Sequence, residues 1–348
     1  MIGGLRIMNR TRRGFLKSLA VSSVAPAFFN CAKASAISNS VESQRRFHFV
    51  QIDVFTSQRL QGNPLSVFTD ARGLSDSEMQ QLARETNLQE TTFVLPSQTA
   101  IEEREGVRVR IFTPDEEIPF GGHPTLGTAT VLRALRLGSV TRTEGASSSV
   151  VVLNLKVGKV PVSFRDDADG LFGEMQQVPP VFGRVHERSA VASILGLDAD
   201  EIESDLPIQT VSTGLPFVIV PIKRLSVLQR LHLAPPKAYE YLNRQEGLKL
   251  EDFYYVTRDT GDPKIGLRAR AIYDVGEDPA TGSAAGCTSA WMVKYGVAQP
   301  DETVLILQGV EAKRPSRLFV RSSKTGIGVS NVRVGGHAVQ IMEGEASL

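Results

Sequence analysis

Cysteine is almost missing from this chain. Of its 348 residues only Cys31 and Cys287 carry a thiol, and Cys31 falls inside a segment with the marks of a removable signal. The mature chain therefore has no intramolecular disulfide to rely on and must be held by its core. No apolar run is long enough to span a bilayer: Leu19 to Phe29 falls well short of the roughly 20 residues required. The histidines (His48, His123, His186, His232 and His337) form no H-x-x-x-H pair, so no metal site is legible. Glycine-rich pieces such as Gly121 to Gly127 lack both the lysine of a P-loop and G-x-G-x-x-G spacing, so no nucleotide or other cofactor is expected.

Excess charge is missing too, with a formal balance of +1. The bases Arg6, Arg10, Arg12, Arg13, Lys17 and Lys33 stand in the first 36 residues without an acid among them, and removing them leaves a net acidic chain. Neither nucleic acid nor an anionic membrane surface is expected as a partner. Thr11 to Lys17 resembles a twin-arginine export motif, an apolar stretch follows it, and Ala34-Ser35-Ala36 offers an A-x-A cleavage site. Residues 1–36 are thus expected to be a twin-arginine-type signal. The mature chain would be periplasmic and free of the membrane, or cytoplasmic if the signal is not used.

What the chain does have is a repeat. Placing Gly122 on Gly282 also places Arg110 on Arg270, Glu117 on Glu277, Pro119 on Pro279 and His123 on Ser283. Each copy reads as an apolar run, acidic residues, Pro-x-x-Gly, and then one polar side chain opening an alanine- and threonine-rich stretch. Thr128 to Leu135 and Ser289 to Tyr295 predict helices. His123 and Ser283 would then sit near helix N-termini, where unpaired N–H groups and the positive dipole end favour anions. Two such starts facing each other would hold one small carboxylate-bearing molecule. Taken singly, either copy is better read as ordinary helix capping; the shared spacing is what argues for a duplicated architecture.

Between Asn87 and Leu95, Glu90 stands at the mouth of an apolar, β-rich run. A carboxylate drawn into a partly dry cleft has its pKa raised toward the range useful for proton transfer. Glutamate at a strand start is otherwise most often a solvated edge residue.

Gly62-Asn63-Pro64, Glu90-Thr91-Thr92-Phe93-Val94, Gly121-Gly122-His123-Pro124 and Asp278-Pro279-Ala280-Thr281-Gly282-Ser283-Ala284 occur in an order that resembles the PhzF-like phenazine-biosynthesis isomerase family, from about Phe47 to Gly344. The resemblance implies an α/β fold of two pseudo-symmetric diaminopimelate-epimerase-like domains, each a β-roll around a central helix. It implies Glu90 as the proton shuttle, His123, Asp278 and Ser283 as the assisting catalytic residues, and Asn63, Gly122 and Gly282 as substrate-binding positions. Two neighbouring carboxylates, Glu90 and Asp278, would push one pKa upward. Related epimerases use two cysteine thiols at the helix starts, where this chain has His123 and Ser283; Cys287 is expected to be packing.

The reading is therefore a cofactor-independent isomerase moving a proton on a small unsaturated carboxylate. The rivals are an amino-acid-type racemase or epimerase and a non-catalytic periplasmic small-acid binding protein. Expected domains are 45–157, joined by a returning strand at 333–348, and 158–332. Chains of this resemblance often form homodimers, and the residues show no interface. Further expectations are strands at Val50 to Val54 and Leu65 to Phe68, and a helix at Leu74 to Glu85. An acidic surface stretch is expected at Asp198 to Asp205, and a Pro235-Pro236-interrupted helix at Leu225 to Leu248.

Overall fold

The computed structural model describes residues 44–137, 149–232, 237–238, 240–242, 252–273, 276–326 and 328–348. The signal expected at residues 1–36 lies outside them. Gln44–Leu348 form one compact unit, and no helix among the described residues is long and apolar enough to cross a membrane.

Strand pairing follows one plan twice. In the first half β1 (Arg46–Val54), β2 (Asn63–Phe68), β3 (Thr91–Leu95), β4 (Val107–Phe112), β6 (Ser149–Leu155), β7 (Gly158–Asp167) and β8 (Gly170–Gln176) pair in succession. The short β5 (Glu117–Ile118) hangs on β4. The ring returns to β1 through the 20-residue β17 (Gly328–Ser347), which pairs with β8 at its middle and with β1 along its end.

In the second half β10 (Ile208–Ser212), β11 (Pro216–Pro221), β12 (Asp252–Thr257), β13 (Leu267–Tyr273), β15 (Val304–Gln308) and β16 (Ser316–Thr325) pair in succession, then meet the start of β17. Here the short β14 (Gly276–Asp278) hangs on β13, and β9 (Val181–His186), the continuation of β8, pairs with β10. Parallel pairs fall at the same places in both halves, β2–β3 and β4–β6 against β11–β12 and β13–β15.

Among the described residues, helices α1 (Asp76–Thr86), α2 (Thr99–Glu105), α3 (Gly122–Leu137), α4 (Arg188–Leu195), α5 (Leu225–Arg230) and α6 (Gly282–Lys294) decorate or fill these rings. Helix α3 packs against β1, β2, β6, β8 and β17, and α6 against β10, β11, β16 and β17. Every residue from Gly282 to Val293 is buried, which explains an alanine-rich sequence with no polar face: small side chains let the surrounding strands close on the helix. The main core runs continuously through both halves, from Val54, Leu65 and Leu126 to Trp291, Ile306 and Val320.

The expected strands and the first helix are present, and Ser75 starts α1 with a capping box to Glu78. Several local details go beyond those expectations. Residue 157 lies at the turn between β6 and β7, and β7 and β8 carry the pairing on to β17. Helix α2 was not anticipated; none of its residues is buried, so it leaves no apolar periodicity to read. The acidic stretch is not all surface: Glu201 is buried and ion-paired to Arg230 and Arg224. The interrupted helix expected at 225–248 runs over Leu225–Arg230 with C-cap Leu231, and residues 237–238 and 240–242 are helical again; Pro235-Pro236 lie outside the described residues.

Candidate active site

The repeat read from sequence is matched by its ion pairs. Arg110 grips Glu117 through Nε and Nη2 at 2.9 and 2.8 Å, and Arg270 grips Glu277 through the same atoms at 2.9 and 2.8 Å. Each two-pronged bridge ties a long strand to the short strand that leads into a central helix, and so aims the helix start.

The two helix starts abut. A Cβ added to Gly122 would stand 2.4 Å from the carbonyl carbon of Gly282 and 2.5 Å from the Ser283 nitrogen. Glycine is required at this contact because any side chain would force the starts apart. Thr281, at the N-cap of α6, does not cap it by its side chain; its hydroxyl donates instead to Asp278 Oδ2 at 2.7 Å. The first amides of α6 therefore receive no cap from that side chain.

Around this junction the structure brings together four of the expected residues. Asn63, the first residue of β2, places its Nδ2 at 2.6 Å from Asp278 Oδ1, 3.0 Å from His123 Nδ1 and 3.1 Å from the Ala280 carbonyl. An amide nitrogen can only donate, and where it donates to His123 Nδ1 the proton of the neutral imidazole rests on Nε2. That Nε2 lies 3.4 Å from Glu90 Oε2. Both atoms, and Asn63 Oδ1 beside them, are buried without a hydrogen-bond partner. Ser283 joins the group through its backbone at the Gly122 contact, and its side chain is buried.

The electrostatics separate the two carboxyls. Burial, helped by the charge of Asp278, pushes Glu90 up to about 8. Burial also pushes Asp278 up, but hydrogen bonds from Thr281, the Ala280 amide and Asn63 hold the rise to about 6. Burial pulls His123 down to about 3, so the ring is neutral near pH 7. Near neutrality the site thus holds a largely protonated Glu90 beside an ionised Asp278.

Several supporting residues carried no sequence signal. Gln308, buried at the end of β15, donates from Nε2 to the Asp278 carbonyl and to Thr281 Oγ1, each at 2.8 Å. Its Oε1 accepts from the Thr281 amide at 3.1 Å and from the Tyr254 hydroxyl at 2.8 Å. Gln177 donates to the Gly282 carbonyl at 3.0 Å and accepts from Thr213 at 2.6 Å. None lies near a motif in sequence, and a lone Gln or Thr is indistinguishable from a surface residue until the fold closes over it. Cys287 is buried beside Thr213 with its thiol pushed up to about 12 by burial, as suits a packing residue. Among the described residues no group of three or more His, Cys, Asp or Glu is arranged to hold a metal.

The ring of strands around buried helices defines a mixed α/β protein with a strand-rich, barrel-like sheet, and two carboxyls and an imidazole meet at the helix junction. The family model for phenazine biosynthesis-like proteins matches residues 52–344, and the chain belongs to that family. It is 35% identical over 305 residues to the trans-2,3-dihydro-3-hydroxyanthranilate isomerase of Pseudomonas aeruginosa, covering 86% of this chain and 99% of that one. An uncharacterized isomerase of Mesorhizobium japonicum is 34% identical over 303 residues, covering 86% and 98%. Among solved structures, a PhzF-family phenazine biosynthesis protein of Bacillus anthracis matches with a TM-score of 0.75 at 27% identity, over 87% of this chain and 99% of that one. These relatives place the chain among isomerases.

Proposed function

We propose that this chain is a cofactor-independent isomerase that moves a proton along a small unsaturated carboxylic acid, with Glu90 as the shuttle. The observation that carries this reading is the buried, unpartnered Glu90 Oε2 facing His123 Nε2 at 3.4 Å. In its ionised form Glu90 takes a proton from a saturated carbon, and the C–H electron pair shifts into the neighbouring double bond. The resulting carboxylic acid returns the same proton to the far carbon of that system. Atoms and charge balance without an external reactant.

A group with a pKa of about 8 gains and loses protons readily near neutrality, which suits both halves of the transfer. His123 offers its Nε2 proton to charge developing near Glu90, while Asp278 stays ionised and orients Asn63. Ser283 and the backbone amides at the starts of α3 and α6 would receive the substrate carboxylate, with Asn63, Gly122 and Gly282 lining it. A thiol-based epimerase is disfavoured, since the helix starts carry His123 and Ser283 and the buried Cys287 is not poised to ionise.

The acid named for the Pseudomonas aeruginosa relative, trans-2,3-dihydro-3-hydroxyanthranilate, is the first substrate to test. In heavy water the wild type is expected to isomerise it with a shift of its double bond. E90Q keeps the shape and should lose that activity; full turnover by E90Q on a true substrate would sink the assignment. Ligand binding without any proton exchange would favour a binding protein, and deuterium at one stereocentre with inversion alone would favour an epimerase.

The doubled pairing plan supports a two-lobed, diaminopimelate-epimerase-like arrangement. Export by the segment at residues 1–36 is proposed from its motif, and mass spectrometry of the N-terminus after expression in the native host tests it. Light scattering tests the homodimer.

A further inference from the structure

The turn that carries Asn63 is held from the opposite half of the molecule. Gly62 takes a φ of +68°, and a Cβ there would stand 2.3 Å from the Val54 carbonyl, so the turn is tight and leaves no room for a side chain. Arg314, in the segment between β15 and β16, donates Nε to the Gly62 carbonyl at 2.7 Å and Nη2 to the Gln61 carbonyl at 2.9 Å. The same Nη2 meets Asp53 Oδ1 at 2.7 Å. Asp53 is buried, and its other oxygen accepts from the Leu60 amide at 2.7 Å. The Gly62 amide donates to the Pro315 carbonyl at 3.2 Å. Leu60, Gln61 and Gly62 are thereby each fixed, and the next residue is Asn63.

The segment that supplies Arg314 begins just after Gln308, which holds the Asp278 carbonyl and Thr281. One stretch of the second half therefore buttresses both ends of the Asn63–Asp278 contact. We propose that Arg314 is a positioning residue: its guanidinium, neutralised by Asp53, fixes the Gln61–Gly62 carbonyls so that Asn63 Nδ2 stays between Asp278 and His123. Arginine suits the task because its planar fork meets three fixed acceptors at once, whereas a lysine ammonium has the charge without the geometry.

Release of this clamp has a readable consequence. Asn63 donates to the ionised form of Asp278, so withdrawing it must raise the Asp278 pKa. The other groups facing Asp278 are Glu90 ahead of β3, Tyr254 on β12, Tyr273 on β13, Glu277 on β14 and Thr281. None of them touches Arg314 in a hydrogen bond, so they are a constant background.

The test is a carboxyl ¹³C titration of the full chain, with the Asp278 resonance assigned by its loss in D278N. R314M and N63A are each expected to raise the Asp278 midpoint by about one unit, the weight of one hydrogen bond to a charged group. The double variant should shift no further than N63A alone, and R314K should fall between R314M and wild type. R321M breaks a different Arg–carboxylate pair, with Glu174, and should lower the melting temperature while leaving the midpoint in place. An unmoved midpoint in R314M, or additive shifts in the double variant, would overturn the proposal. If R314M does not fold, R314K against R321M decides by the same criterion. Because the readout needs no turnover, it stands apart from the choice of substrate.

Discussion

The two central helices begin alike and are furnished differently. Both follow a bidentate Arg–Glu bridge and a Pro-x-x-Gly turn, and their glycines touch. At the second start Asp278 has every oxygen occupied, by Thr281, the Ala280 amide and Asn63. At the first, Glu90 Oε2 and His123 Nε2 are buried with no partner. What was duplicated is scaffold; what differs is chemistry. A satisfied carboxylate is a fixed charge, and an unsatisfied one beside a neutral imidazole is free to trade a proton.

The strongest way to break this comparison is to remove the unsatisfied acid. E90Q should lower turnover by about 10²–10⁴-fold, the range typical of a general acid–base group, as measured by initial rates on the dihydro acid. S283A, on the other half, should lose far less, because the neighbouring helix amides also serve the carboxylate; an equal loss in both would erase the distinction drawn here.

A second comparison concerns the two bridges. Arg270 and Glu277 have side chains 9% and 14% exposed, against 15% and 23% for Arg110 and Glu117. Arg270 Nη1 also serves the carbonyls of Leu228, Gln229 and Leu231. R270M strands Glu277 and three carbonyls and should cost about 3–5 kcal/mol in urea unfolding. R110M should cost less, since Asp76, the other partner of Arg110, is solvent-exposed.

Stability against pH sharpens the contrast further. The folded-state pKa of Glu90 lies above its unfolded value, so its contribution is full below the ordinary glutamate range and is lost as pH rises through about 8. His123 has the opposite sense: its folded pKa is depressed, so stability present above the ordinary histidine range is lost as pH falls toward about 3. Melting temperatures of E90Q should therefore overtake wild type progressively between pH 5 and pH 9, and those of H123Q should fall less than wild type between pH 6 and pH 4. The second effect is the smaller, because global acid unfolding overlaps it.

Much of this was legible in the chain. Arg110, Glu117, Gly122 and their counterparts Arg270, Glu277 and Gly282 can be aligned by eye, because a repeat preserves spacing and the bridge needs both partners at that spacing. Glu90 stood out by its place at the head of a β-rich run and by the motif it opens, Glu90 to Val94. Other residues were silent. Asp53, Arg314, Gln177 and Gln308 act through partners tens to hundreds of residues away, and nothing in their own neighbourhoods marks them. Helix α2 and the buried Glu201 were missed for the complementary reason: local pattern reports solvent exposure only where an apolar face is present to be counted.

By itself the sequence determined the local elements, the twofold plan and the pairing of a polar residue with each helix start, since periodicity, caps and turns are properties of neighbouring residues. Only the tertiary structure decided that the two starts would touch, that Asn63 would bridge Asp278 and His123, and which carboxyl would be left without a donor. Those outcomes depend on desolvation and on distances between remote segments, and both are set when the rings close around their helices.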